Sequence, residues 1–97
     1  MFRTNNEGHG FQITFPNRYT VSIQFGIFNY CNNKLTPYKD TAPEYCRDAE
    51  VALVHPDGWL VSLEGKFDWW SGDTVNGYTS PNEVAELIAY AQALPVK

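Results

Sequence analysis

The stretch Gly10–Cys31, GFQITFPNRYTVSIQFGIFNYC, decides the fold. In its first arm Phe11, Ile13 and Phe15 alternate with Gln12 and Thr14; in its second Val21, Ile23 and Phe25 alternate with Thr20, Ser22 and Gln24. A period of two puts alternate side chains on one side of a pleated strand, and β-branched and aromatic residues suit such a half-buried surface. Pro16-Asn17-Arg18 between the arms has turn chemistry, since proline presets φ and asparagine tolerates positive φ. The reading is an antiparallel hairpin with one apolar face.

Working outward, residues 1–9 are polar and aperiodic, a flexible lead-in that either frays or adds an edge to the sheet. Beyond the hairpin, Gly26 breaks the alternation and Phe28 and Tyr30 follow. They either fold back over the core or stand exposed as anchors, because aromatic side chains dominate binding hot spots. Residues 32–48, with two prolines and many turn formers, read as a long loop. Connections beyond about 12–15 residues are uncommon in compact domains and are often functional. The loop carries Lys34, Lys39 and Arg47 beside Tyr38 and Tyr45, a combination suited to a phosphate-bearing or planar ligand, or simply to solvent.

Residues 49–63 predict a second hairpin, Ala49–Val54 and Trp59–Leu63 around His55-Pro56-Asp57-Gly58. Pro-Asp-Gly combines a fixed φ, an Asx hydrogen bond and a residue free to take positive φ. Val51, Leu53, Trp59, Val61 and Leu63 make its buried face; Ala52, Val54 and Leu60 leave the other face apolar enough for a helix to cover. In residues 64–79 the adjacent Trp69 and Trp70 cannot both point inward from one strand, so one is expected at the surface as a contact residue. A short strand at Thr74–Tyr78 is compatible with the pattern. Residues 80–94 predict a helix: Ser80-Pro81-Asn82-Glu83 is a capping box with proline in the first turn, and Val84, Leu87, Ile88, Ala91 and Leu94 form one apolar stripe. Pro95 ends it.

The chain of 97 residues, 43% hydrophobic and 15% aromatic, therefore reads as a single α+β domain: an antiparallel sheet of four to five strands from two hairpins, with one C-terminal helix on one face. Seven basic against eleven acidic residues, a net charge of -4, argue against direct nucleic-acid binding, which depends on lysine and arginine displacing phosphate counterions. No apolar run approaches the about 20 residues a membrane-spanning helix needs, and the N-terminal residues do not resemble a secretion signal, so a cytoplasmic location is expected. Cys31 and Cys46 are then expected as thiols, and with His9 and His55 they lack the spacing of a zinc motif; neither a metal nor another cofactor is expected.

Catalytic motifs are absent: there is no Gly-x-Ser-x-Gly, no phosphate loop and no dinucleotide fingerprint. Cys31 or Cys46 beside His9 or His55, and Asp68 with Asp73 near the tryptophans, are the remaining acid-base candidates, and none has supporting spacing. The expectation is a protein that is not an enzyme.

The strings FPNRYTVSIQFGIFNYC and DTVNGYTSPNEVAELI, within Gly10–Cys31 and Asp73–Ala89, resemble a group of short accessory proteins of bacteriophages. Where such proteins tend to have Asn-Gly in the turn and a glycine-containing loop, this chain has Asn17-Arg18 and Gly26-Ile27-Phe28. The resemblance implies a small accessory phage protein, a class that includes anti-defence inhibitors of bacterial immunity such as anti-CRISPR proteins, and for a phage-encoded chain the host cytoplasm as its location. The leading expectation is a viral inhibitor that binds a host defence protein through Phe28, Tyr30, Tyr38, Tyr45, Trp69 and Trp70. An alternative is a homo-oligomeric sponge for a small signalling nucleotide, with Arg18, Lys34, Lys39 and Arg47 on phosphates and Tyr38, Trp69 or Trp70 on bases. A virion or structural accessory protein is a third.

Overall fold

A computed structural model describes residues 1–5, 9–26, 29–32 and 46–96. Five strands and one helix follow in order: β1 Phe2–Asn5, β2 Gly10–Thr14, β3 Thr20–Gln24, β4 Ala49–Val54, β5 Val75–Thr79 and α1 Pro81–Gln92. The sheet runs β1-β2-β3-β4-β5, every neighbouring pair antiparallel, so each strand pairs with the next in the chain. This is the expected α+β architecture with its C-terminal helix on one face.

The lead-in is no loose tail. Phe2–Asn5 adds an edge strand to β2, and the Met1 ammonium and the Thr14 amide exchange hydrogen bonds with the Thr14 and Met1 carbonyls, both 2.8 Å. In the first hairpin Phe11↔Ile23 and Ile13↔Val21 pair across β2 and β3, as the alternation requires, and Val51 and Leu53 continue the rows in β4. Helix α1 lays Leu87 and Ala91, both fully buried, onto this face, with Val84, Ile88 and Leu94 flanking them. All five stripe residues thus face the core. At the N-terminus Ser80 Oγ accepts the Glu83 amide and Glu83 Oε1 accepts the Ser80 amide, the reciprocal pair of a capping box.

Both tight turns share one construction. The Arg18 amide donates to Phe15 O and the Phe15 amide to Tyr19 O; likewise the Gly58 amide donates to His55 O and the His55 amide to Trp59 O. Each is a proline-led turn closed by a residue in the left-handed region, Gly58 at φ 99° and Arg18 at φ 75°. The positive φ falls on Arg18 and not on Asn17. The Asn17 side chain instead ties the turn to its surroundings, with Oδ1 accepting the Tyr19 amide and Nδ2 reaching carbonyls at the end of α1.

The second hairpin is corrected by the structure. Its turn forms, but Trp59–Leu63 is not a strand: it makes a single bridge, Val54↔Leu60, formed by the Val61 amide bonding to Leu53 O and the His55 amide to Trp59 O. The physical reason is competition for one edge. Each backbone group along Ala49–Ala52 pairs only once in the ladder, and β5 takes that edge, leaving only its far end to residues 60–61. Trp59, expected in the core, is 53% exposed and stacks on the His55 imidazole at 4.1 Å between ring centroids. Leu63 does reach the core, held by its amide's bond to Asp73 O.

Candidate functional site

The helix covers only one side of the sheet. The other side carries the row Gln12, Ser22, Ala52 and Val75 together with Val54 and Leu60, so the face that Ala52, Val54 and Leu60 mark as suited to a covering helix is the one left clear, and α1 packs instead on the face of Val21, Ile23, Val51 and Leu53. Small Ser22 and Ala52 at its centre leave a shallow depression of about 230 Å³, walled by Gln24 and Glu50 at one end and Val54 and Leu60 at the other. Leu60 stands half exposed on this rim, next to the exposed Trp59.

Tyr30 sits at the Glu50 end. Glu50 Oε2 accepts the Tyr30 amide at 3.1 Å and Oε1 accepts Asn29 Nδ2 at 3.2 Å, while Asn29 Oδ1 accepts the Gly26 amide. Tyr30 O in turn accepts the Tyr78 amide at 2.8 Å. The backbone of Tyr30 is therefore pinned from two strands, yet its side chain is 54% exposed. Tyr78, beside it, is 57% exposed and holds φ 53°, in a left-handed conformation uncommon for a bulky residue. The register of β4 and β5 slips between Ala49 and Val51, and this irregularity turns Tyr78 outward. Gly77 makes the approach possible: a Cβ there would lie 2.7 Å from Tyr30 Cβ. Two exposed tyrosines are thus joined by a backbone hydrogen bond beside the Glu50 end of the sheet.

The expected contact residues divide sharply. Tyr30 is exposed, the second of the two alternatives left open for it. Phe28, Tyr38, Tyr45, Lys34 and Lys39 lie outside the described residues. Trp70 is corrected to the core: it is 6% exposed and its indole N–H donates to Asp73 O at 3.1 Å. Trp69 is half-buried, stacked on Phe67 at 4.6 Å, with Phe67 edge-on to Tyr90 of α1. Adjacent tryptophans both pack inward because residues 64–70 form turns rather than a strand, which removes the alternation that would have forced one outward. Trp69 Nε1 is buried and has no hydrogen-bond partner among the described residues.

Of the basic residues of the nucleotide alternative, only Arg18 and Arg47 are among the described residues, and these two lie apart. Arg18 lies beyond the Thr20↔Val54 end of the β3–β4 ladder and Arg47 beyond the Gln24↔Glu50 end, so at least roughly 13 Å of strand separates their positions at about 3.3 Å per residue. Of the acid-base candidates, His55 Nδ1 accepts the Asp57 amide within its turn, and Asp73 accepts the Ser62 hydroxyl and supports Leu63 and Trp70 through its carbonyl. These are structural duties. Cys46 and His55 lie off opposite ends of β4.

Sequence reasoning missed Tyr78 and Glu50 and read Leu60 only as part of a face for a helix to cover. The only signal was Asn76-Gly77 before Tyr78, a pair that marks a strand irregularity. The chain matches no family model, no curated protein and no solved structure. No helix among the described residues is long and apolar enough to cross a membrane.

Proposed function

We propose that the protein is a non-enzymatic binding module that blocks a partner protein, docking the partner against the open sheet face with Tyr30 and Tyr78 as anchors. The observation that carries this reading is the pair of exposed tyrosines on pinned backbone. Large rings already held in place lose little conformational freedom on binding, which is the property that makes tyrosine a hot-spot residue. The depression over Ser22 and Ala52, running from Glu50 to Leu60, extends the contact area beyond the two rings. With a net charge of -4 on the chain, a neutral or basic surface on the partner is the complementary one.

The likeness of the hairpin and helix-entry strings to short bacteriophage proteins supports a bacterial defence protein as that partner, met in the host cytoplasm. The test is phage plating on paired hosts with and without a defence system, the chain being expressed in both. Expression should restore plating on the defended host, and the Tyr30→Ala/Tyr78→Ala variant, folded to the same melting temperature, should not. Equal plating with the wild type and the double variant sinks the proposed surface. A nucleotide retained by the purified wild type would favour the sponge instead.

A further inference from the structure

We infer that Cys31, Cys46 and Asp48 form a binding site for a thiophilic divalent cation of the zinc type. Their two Sγ atoms and a carboxylate oxygen all lie within 4.8 Å of one another. Tetrahedral zinc with Zn–S near 2.3 Å sets its sulfur ligands about 3.8 Å apart, so a small inward rotation of side chains closes the set around one ion. Two sulfurs and one oxygen are a donor set that favours zinc over the hard cations magnesium and calcium.

The surroundings supply what a metal site needs besides its ligands. Asp48 Oδ1 accepts the Asn32 amide at 2.6 Å and lies 3.7 Å from Cys46 Sγ, so the carboxylate is already oriented by a backbone donor. Cys31 is 1% exposed, with its Sγ 3.4 Å from Gly26 O, in a dry setting that shields one ligand from competing water. Cys46 and Asp48 are only partly buried and line a surface pocket of about 240 Å³, which gives an ion a route in. Neither cysteine is in a disulfide. Three protein ligands leave the fourth tetrahedral position to water or an external ligand. Because Cys31 follows β3 and Cys46 and Asp48 lead into β4, the ion would clip together the two ends of the 32–48 connection, beside the Tyr30 segment. Binding replaces the two thiol protons, which are released to solvent, and changes no oxidation state.

The probe is Co²⁺, and then Zn²⁺, titrated into the reduced, metal-stripped full chain. One equivalent of Co²⁺ should bind with thiolate-to-cobalt charge-transfer absorption and tetrahedral visible bands, release protons, and be displaced by one equivalent of Zn²⁺. Cys46→Ser, at a partly exposed position, should weaken cobalt binding at least tenfold and diminish the charge-transfer band. Asp48→Asn should weaken binding while keeping the band. Cys31→Ser tests the buried ligand, and if it fails to fold, the other two variants still decide. The inference is overturned by a chain that binds no stoichiometric cobalt, by binding without sulfur charge transfer, by affinity unchanged in Cys46→Ser, or by chain isolated without oxygen that is two hydrogens lighter than the dithiol.

Discussion

Asn17 Nδ2 donates to Ala91 O at 2.7 Å, so the turn of the first hairpin caps the end of a helix 74 residues further along the chain. The same nitrogen lies 2.9 Å from Leu94 O, and Asn17 Oδ1 holds the Tyr19 amide at 3.0 Å. The last carbonyls of a helix lack intrahelical partners, and α1 has no basic residue in its last turn to serve them. One buried side chain, 5% exposed, therefore closes the turn and the helix together.

Asn17→Ala removes that link, leaving Ala91 O to the long 3.3 Å bond from the Leu94 amide and Leu94 O without its side-chain donor. The expected loss is about 2–3 kcal/mol, read from urea unfolding. Asn17→Asp should be at least as harmful, because it keeps the acceptor for Tyr19 but turns a carboxylate toward carbonyl oxygens. An unfolding midpoint that moved in neither variant would mean the cap contributes nothing.

Arg18 occupies the position that Gly58 fills in the matching turn, at φ 75°. A left-handed conformation costs a residue with a Cβ about 1–2 kcal/mol, offset partly by the greater freedom of glycine in the unfolded chain. Arg18→Gly should raise stability by roughly 0.5–1 kcal/mol, and Gly58→Ala should lower it by about 1 kcal/mol. Thermal unfolding of the pair checks both signs, and a destabilised Arg18→Gly would show that the arginine side chain offsets its backbone.

Gly77→Ala should displace Tyr30, since the new methyl would meet Tyr30 Cβ and, at 3.1 Å, Tyr30 O. Partner binding is expected to fall along with hydrogen-exchange protection at the Tyr78 amide. Glu50→Ala should reach a similar end from the other side by releasing the Tyr30 amide and Asn29 Nδ2. Exchange at Tyr30 should rise while β2 and β3 stay protected. Protection unaltered in both variants would show that the tyrosine platform is held by something else.

The tryptophans should behave oppositely to surface anchors. Trp70→Ala empties a core position and is expected to cost about 3–5 kcal/mol. Trp70→Phe should cost about 1 kcal/mol for the lost bond to Asp73 O. Trp69→Phe removes an indole donor that has no partner among the described residues and should be neutral or slightly stabilising. Differential scanning calorimetry separates these three, and equal losses for Trp69→Phe and Trp70→Phe would contradict the hydrogen bonding described.

Much of this protein was legible in its sequence, wherever a local cause sufficed. Alternation set the faces of β2 and β3, Pro-Asp-Gly set the second turn, and Ser80-Pro81-Asn82-Glu83 set the helix start, because each depends on residues within a few positions. The tertiary structure decided what is contested or shared between distant segments. Which of Trp59–Leu63 and Val75–Thr79 pairs with β4 is a competition for a single edge, and no period in either segment reveals the winner. Trp70 went inward because Leu63 and Asp73 brought its loop against the core, and Tyr78 went outward because a register slip met the close approach of Tyr30 to Gly77. Asn17 reads from sequence as a turn residue and nothing more. Its bonds to Ala91 and Leu94 exist only because the sheet and the helix pack, and the meeting of Cys31 with Cys46 and Asp48 has the same origin.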